Sequence, residues 1–152
     1  MARARRRTPR KTGAPRRITN RPEETFRKTA VVPWLTVSVL APAVWWATAN
    51  EKGTRSTFEQ QLLVSLGLKE GIPDIFVLHA GHLLGIELKR PPGRLKSGAL
   101  SRAKMQLSDG QIKMHAALRA AGAVVTTANT MEAIELFLRC HGVPLRASVL
   151  AR

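Results

Sequence analysis

Hydrophobic and polar positions follow two alternating patterns from residue 22 onward. Segments with an apolar residue every three or four positions, typical of helices, are separated by short apolar runs typical of strands. The predicted order is a helix from Pro22, a strand at 43–48, a helix at 56–67, a hairpin of strands at 75–79 and 83–90, a helix from 108 to 121, a strand at 123–128 and a helix at 131–140. This order predicts an α/β (α+β) fold with a mixed central sheet flanked by helices.

Local signals mark the ends of several of these elements. Ser56 with Glu59, and Ser108 with Gln111, have the spacing of a capping box, in which each side chain satisfies a backbone N–H at a helix start. Pro33 is expected to kink or end the first helix, and the segment 36–40 is β-branched enough to form a strand instead. The single cysteine, Cys140, is expected to be buried and inert, and it excludes an internal disulfide framework.

Residues 29–50 carry no charged side chain, which raises the alternatives of a membrane helix or a signal peptide. Pro33 and Pro42 interrupt the segment, and the basic stretch before it is longer than a signal peptide needs. We therefore predict two buried elements here and no membrane insertion.

Positive charge is concentrated at the N-terminus. The 152 residues carry a formal net charge of +15, and residues 1–28 alone hold eleven basic and two acidic side chains. Residues 1–21 are basic and poor in large apolar side chains, so we predict a disordered arm that lies along phosphates; the alternative is a solvated tail. A charge of this sign and size implies a polyanionic partner, most simply nucleic acid.

A second basic segment lies in the long polar loop 91–106, and loops of this length in a compact domain are usually functional. The side chains predicted to contact nucleic acid come from this loop, from the end of the strand before it and from the loop before the helix at 56: Arg94, Lys96, Arg102 and Lys104, then Arg90, then Arg55. Contacts of this kind bind the phosphate backbone without specifying sequence.

The candidate chemistry lies in the hairpin. Asp74 precedes the first strand, and in the second strand Glu87 and Lys89 share one face because side chains alternate along a strand. The hairpin can place Asp74 beside Glu87, where two carboxylates repel each other unless a cation lies between them. A hard divalent ion such as Mg²⁺ satisfies such oxygen ligands, and Lys89 could orient a water or stabilise a transition state.

These residues resemble the P-D…(D/E)-x-K nuclease superfamily, and residues 50–146 are similar to its virus-type replication-repair nuclease (VRR-NUC) branch. The resemblance rests on the GIPD sequence ending at Asp74, on Glu87-Leu88-Lys89, on Leu107-Ser108 followed by Gln111, and on the Trp-Trp run before Asn50. Ala49 departs from the proline that the family often has, and an insert lengthens the loop after Lys89.

The resemblance implies a restriction-endonuclease-like core spanning residues 22–146, followed by a tail at 147–152. It implies a metal-dependent nuclease that cuts DNA, as a structure-selective endonuclease on junctions or branches, with a possible homodimer in the cytoplasm of a bacterial or phage-infected cell. The implied catalytic residues are Asp74, Glu87, Lys89 and Gln111. The implied ligands of Mg²⁺ or Mn²⁺ are Asp74 and Glu87, with the Leu88 carbonyl and Glu24.

Each assignment has an alternative that involves no catalysis. Asp74 could cap a turn, Glu87 and Lys89 could form a surface cross-strand pair, and Gln111 could serve its capping box alone. Glu23 or Glu59 could replace Glu24 as the helix carboxylate. The competing function is a basic nucleic-acid-binding protein that has the nuclease fold without the activity.

Overall fold

The computed structural model of the protein describes residues 22–48, 57–93, 97, 105–146 and 148–149. Its helices and strands follow the predicted order closely. They are α1 (Pro22–Phe26), a π-helical turn (Arg27–Val31), α2 (Val32–Ser38), β1 (Val44–Ala47), α3 (Thr57–Ser65), β2 (Ile75–His79), β3 (His82–Leu88), α4 (Asp109–Ala120), β4 (Val124–Ala128) and α5 (Met131–Cys140). The predicted arm at 1–21 and the Ser56 capping residue lie outside the described residues.

The four strands form one sheet in the order β1-β2-β3-β4. β1 pairs antiparallel with β2, β2 pairs antiparallel with β3, and β3 pairs parallel with β4. The β2–β3 turn has positive φ angles at Ala80 and Gly81, the backbone that matches a two-residue hairpin to the twist of its strands. The predicted α+β class, with a mixed central sheet flanked by helices, is therefore confirmed.

One face of the sheet forms the main core. Ile75 and Val77 on β2 and Leu84 and Ile86 on β3 are fully buried there. They belong to one apolar cluster with residues of the helices, namely Val31, Leu35, Ile134 and Leu138. Gly85 and Glu87 alternate with this set and therefore lie on the other face of the sheet. The sheet thus separates an apolar core from the face that carries the candidate chemistry.

The first helix passes through Pro33 rather than ending there. The backbone N–H of Val32 donates to the Arg27 carbonyl, closing a π turn just before the proline. Such a turn shifts the hydrogen-bond pattern by one residue. The helix resumes as α2 and runs to Ser38. The alternative of a strand at 36–40 is wrong, since strand-like pairing is limited to a single bridge from Val39 to Leu145.

Helix α5 anchors part of the predicted tail. The Glu135 carboxylate is fully buried and accepts hydrogen bonds from Arg139 Nε and Ser148 Oγ, both at 2.6 Å, and from the Val149 N–H. These donors lower the pKa of Glu135 to about 2 despite its burial.

The expectation that Cys140 is buried is wrong: it is exposed, because it lies roughly 200° around the helix from buried Leu138.

The part of the chain that the structure describes contains no helix with both the length and the apolar character needed to cross a bilayer.

Candidate active site

Asp74 immediately precedes β2. Its backbone carbonyl hydrogen-bonds on the β1 side of the sheet, and its side chain hydrogen-bonds on the β3 side. Its carbonyl accepts from the Thr48 N–H at 2.8 Å, which extends the pairing with β1. Its carboxylate Oδ2 accepts from the Leu88 N–H at 2.8 Å and so occupies the place of a backbone partner on the β3 side. The register that pairs Ile75 with Ile86 brings Asp74 opposite Glu87 when continued by one residue. Asp74 is therefore more than a turn cap.

Glu87 and Lys89 are buried together. Their exposed fractions are 4% and 8%, and Lys89 Nζ lies 3.2 Å from Glu87 Oε1. The backbone N–H of Lys89 donates to Ala128 of β4, which fixes the chain just beyond the end of β3. The alternative of a surface cross-strand pair is wrong, because a surface pair would be solvated on both partners.

Gln111 performs its capping role and contacts the buried pair at the same time. Ser108 and Gln111 form the reciprocal capping box at the start of α4, as the sequence predicts. The Gln111 carbonyl oxygen also accepts from Lys89 Nζ at 2.9 Å, and its amide nitrogen donates to Glu87 Oε1. The capping box thus holds the Gln111 side chain where it bridges Glu87 and Lys89, so capping does not exclude a role in the site.

Two glycines bring the GIPD turn against α4. Gly71 has a φ of +79°, and a Cβ atom there would overlap the backbone of Gly110 and approach Gln111 N to 2.7 Å. Gly110 in turn faces the side chain of Glu70. Only glycine at position 71 allows both the left-handed backbone and this approach. The contact fixes the distance between Asp74, three residues along the turn, and the start of α4.

The two acids are electrostatically coupled. Burial raises the pKa of Glu87 to about 7, and the negative charge of Asp74 adds to this shift while Lys89 opposes it. Burial also raises the pKa of Asp74, against the lowering effects of the Leu88 N–H and the Arg27 guanidinium. Two neighbouring carboxylates with raised pKa values, Glu87 buried and Asp74 partly exposed, gain stability from an additional positive charge.

Arg27 is a residue of this site that the sequence analysis missed. Its guanidinium lies 3.6 Å from Asp74 Oδ1 and also donates to the Thr48 carbonyl. Glu23, four residues earlier, is close enough for its charge to raise the pKa of both Asp74 and Glu87. The spacing of four residues on a helix was the available signal, since it puts Glu23 and Arg27 on one face. That signal does not by itself reveal which face meets the hairpin.

His115 lies beneath the cluster on α4, one turn after Gln111. It is fully buried, neither ring nitrogen has a hydrogen-bond partner among the described residues, and Nε2 is 4.0 Å from Glu87 Oε2. Burial, with the positive charges of Arg119 and Lys89, lowers the pKa of His115, which keeps the ring neutral near pH 7. A single histidine in a helix has no distinctive spacing, so the sequence does not predict that His115 is buried beside Glu87.

The remaining predicted site residues are exposed or lie outside the described residues. Arg90 is exposed and directly follows Lys89 at the rim of the cluster. Glu24 and Glu59 are exposed on α1 and α3 respectively, and the choice of Glu24 as a metal ligand stays a prediction. The remaining residues predicted to bind nucleic acid lie outside the described residues: Arg55, Arg94, Lys96, Arg102 and Lys104.

The donor set suits a hard divalent cation with few protein ligands. Asp74 and Glu87 supply carboxylate oxygens, and the carbonyl of Leu88, the residue after Glu87, is a third candidate oxygen. Within the described ranges, no three side chains from His, Cys, Asp and Glu converge as a ready metal-binding group. Mg²⁺ is commonly held by one or two carboxylates together with waters and substrate phosphate. The two acids therefore fit a magnesium site completed by substrate better than a closed structural site.

No family model, no curated protein and no solved structure matches this chain.

Proposed function

We propose that this protein is a metal-dependent nuclease of the VRR-NUC type, with a restriction-endonuclease-like core, that hydrolyses phosphodiester bonds in DNA. One observation carries the proposal: Asp74, Glu87, Lys89 and Gln111 come from separate motifs in the sequence and meet in one largely buried cluster. Buried charges are costly, so a cluster of two acids and an ammonium suggests a functional requirement.

Asp74 and Glu87 would hold Mg²⁺ or Mn²⁺, together with the Leu88 carbonyl and the Glu24 carboxylate of α1. The bound cation would neutralise charge on the phosphate and lower the pKa of the attacking water. The protein's own contribution is to shield Glu87 from solvent and to hold Lys89 in place. Glu87 and Gln111 fix its ammonium, which can then orient the water and stabilise negative charge that develops on the phosphate.

The positive charge supports a nucleic acid as the substrate, and the choice of DNA rests on the resemblance. The net charge of +15 suits a polyanion, and exposed Arg90 lies directly beside the buried cluster. Preference for junctions or branches, action as a homodimer in which two sites cut two strands, a role in DNA repair, and residence in the cytoplasm of a bacterial or phage-infected cell belong to the same proposal. They rest on the resemblance rather than on the site geometry.

A non-catalytic DNA-binding protein is the second candidate. It is favoured by the fact that both acids already have cationic neighbours, Lys89 beside Glu87 and Arg27 beside Asp74. Such pairs could stabilise the fold without any metal. This candidate predicts strong, salt-dependent DNA binding and no cleavage with any divalent ion.

Cleavage assays with matched lysine variants distinguish the two candidates. Branched, nicked and linear DNA are incubated with the protein and Mg²⁺ or Mn²⁺, using wild type, Lys89→Ala and Lys113→Ala. Lys113 is an exposed lysine on α4 and controls for the loss of one positive charge. We expect Lys89→Ala to lower the cleavage rate by about 10²–10³-fold, the usual cost of removing one transition-state donor, and Lys113→Ala to have little effect. Equal rates for wild type and Lys89→Ala would remove Lys89 from the mechanism, and absence of metal-dependent cleavage in the wild type would favour the binder.

A further inference from the structure

Arg27 is held at the site by two different interactions. Its side chain is 23% exposed, with one guanidinium nitrogen 3.6 Å from Asp74 Oδ1 and another donating to the Thr48 carbonyl. Thr48 also binds the backbone of Asp74, so the end of β1, the acid and Arg27 form one connected group. The residue belongs to the π-helical turn, a feature that often accompanies functional sites.

The contact between Arg27 and Asp74 is looser than a structural ion pair needs to be. A bidentate arginine–carboxylate pair has two hydrogen bonds near 2.8 Å, whereas here the ion-pair separation is 3.6 Å and the guanidinium donates its hydrogen bond to a neutral carbonyl. The Asp74 oxygen that engages the backbone is Oδ2, which leaves Oδ1 facing the guanidinium. Arg27 thus lies beside the Asp74 oxygen that remains for a cation.

A divalent cation and the guanidinium cannot both use this oxygen without repelling each other. When Asp74 is neutralised by another cation, the attraction that draws Arg27 to it is lost. Guanidinium groups then favour phosphate, whose oxygens they bind in a forked geometry. The Thr48 carbonyl can retain one N–H of Arg27 while the remaining donors turn to such an oxygen.

We propose that Arg27 is a phosphate-binding residue of this site: it neutralises Asp74 in the metal-free protein and donates to an oxygen of the DNA phosphate once a divalent cation has bound. This inference rests on the proposed nuclease function and adds a substrate contact to it. It distinguishes Arg27 from a structural brace, because the two roles predict different responses to removal of the guanidinium.

Removal of Arg27 should affect metal binding and phosphate binding in opposite directions. Without the guanidinium, Asp74 loses a competing cation, so a divalent ion binds more tightly. The phosphate of the bound DNA loses a donor, so cleavage slows. A residue that only braces α1 against the hairpin would, when removed, loosen Asp74 and weaken both processes together.

The test compares Arg27→Met and Arg27→Lys with Lys28→Met. Lys28 is the exposed neighbour of Arg27, so Lys28→Met removes one charge from the same helix without touching the site. Mn²⁺ binding is measured by calorimetry on the full chain without DNA, DNA affinity by fluorescence anisotropy with Ca²⁺, and turnover at saturating Mn²⁺ and DNA. Thermal melting of each variant reports on folding separately.

For Arg27→Met we expect Mn²⁺ to bind roughly tenfold more tightly, as one removed cation beside the acid would allow. Turnover should fall about 10²-fold, the cost of one lost transition-state donor. Arg27→Lys should keep the Mn²⁺ affinity of the wild type and recover only part of the turnover, because an ammonium cannot form the forked contact. Lys28→Met should match the wild type in both measurements.

Weaker Mn²⁺ binding together with slower turnover in Arg27→Met would overturn the inference and make Arg27 a brace. Unchanged values in both measurements would overturn it as well. If Arg27→Met fails to fold, Arg27→Lys decides: wild-type turnover would contradict the need for a guanidinium. If the wild type binds Mn²⁺ but cleaves no DNA, the proposed nuclease function fails. The two binding measurements then still test the inference. It requires that Arg27→Met binds Mn²⁺ more tightly than the wild type and binds DNA less tightly in the presence of Ca²⁺.

Discussion

At the scale of single residues, Glu87 determines how the site responds to pH. Burial raises its pKa to about 7, so part of the metal-free population carries a proton on this carboxyl near neutral pH. A divalent cation requires the ionised form, so binding must release that proton. The pair titrates together with Asp74, so the apparent pKa belongs to both acids.

We therefore predict that Mn²⁺ affinity rises as the pH increases from 6 to 8 and levels off above the pKa of Glu87. Calorimetry in buffers of different ionisation enthalpy would show nearly one proton released at pH 6 and far less at pH 8. Glu87→Gln should bind Mn²⁺ weakly at every pH. A pH-independent Mn²⁺ affinity in the wild type would contradict this role for Glu87.

The raised pKa of Glu87 also makes the stability of the metal-free protein depend on pH. The Mn²⁺ affinity rises with pH, whereas this stability falls. Because the folded-state pKa of Glu87 lies above its ordinary value of 4.5, its favourable contribution is fully present below pH 4.5 and is lost as the pH rises through about 7. Mn²⁺ should accordingly raise the melting temperature more at pH 8 than at pH 6.

The sequence predicts which residues form the cluster better than it predicts which other side chains surround them. Asp74, Glu87, Lys89 and Gln111 were selected from motif spacing, and all four meet in the structure. Burial of His115 and the approach of Arg27 depend on how α4 and the π-helical turn pack against the sheet, and no local pattern encodes this. Cys140 was wrongly predicted to be buried because an apolar helix was assumed to bury every apolar position.

At the scale of elements, the close approach of the GIPD turn to α4 determines the geometry of the cluster. Gly71 contacts the backbone of Gly110 and Gln111, so the turn that carries Asp74 and the helix that carries Gln111 behave as one unit. The capping box at Ser108 then orients the Gln111 side chain toward β3.

We predict that Gly71→Ala destabilises the protein far more than Gly67→Ala. Both glycines have positive φ, 79° and 92°, but an added Cβ meets nothing within 4 Å at Gly67 and overlaps backbone at Gly71. Gly67→Ala should cost about 1 kcal/mol from the backbone conformation alone, and Gly71→Ala about 3 kcal/mol or more. Urea unfolding measures both values, and equal losses would show that the turn and α4 do not need this contact.

The elements differ in how far the sequence could predict them. The hairpin and α4 follow from local chemistry: a two-residue turn with Gly81, and Ser108 paired with Gln111. The π-helical turn before Pro33 does not, because a proline in a helical pattern usually indicates a kink or an end. The Gly71–Gly110 contact joins residues far apart in sequence and is visible only once the fold is known.

At the scale of the whole molecule, the most basic segment and the candidate active site lie in different parts of the sequence. Nine basic residues and no acidic residue lie in 1–21, before the first described helix. The buried cluster sits in the folded domain. For the proposed nuclease, we therefore expect that phosphate-backbone binding and phosphodiester hydrolysis can be altered independently.

We predict that replacing the basic residues of 1–21 with glutamine weakens DNA binding equally for unrelated DNA sequences. It should also flatten the dependence of affinity on salt, since each phosphate contact contributes a slope of about −0.9 on a log–log plot. Anisotropy titrations between 50 and 200 mM salt, on the order of physiological ionic strength, would measure this slope. An unchanged slope would favour the solvated tail over the phosphate-binding arm.

The central claim is that Asp74 and Glu87 together bind a divalent cation. The most direct measurement is anomalous diffraction from crystals of the protein soaked in Mn²⁺, collected at the manganese absorption edge. The account predicts an anomalous peak in contact with carboxylate oxygens of both Asp74 and Glu87. Crystals that show no peak there, with Arg27 still beside Asp74 and Lys89 still paired with Glu87, would contradict it.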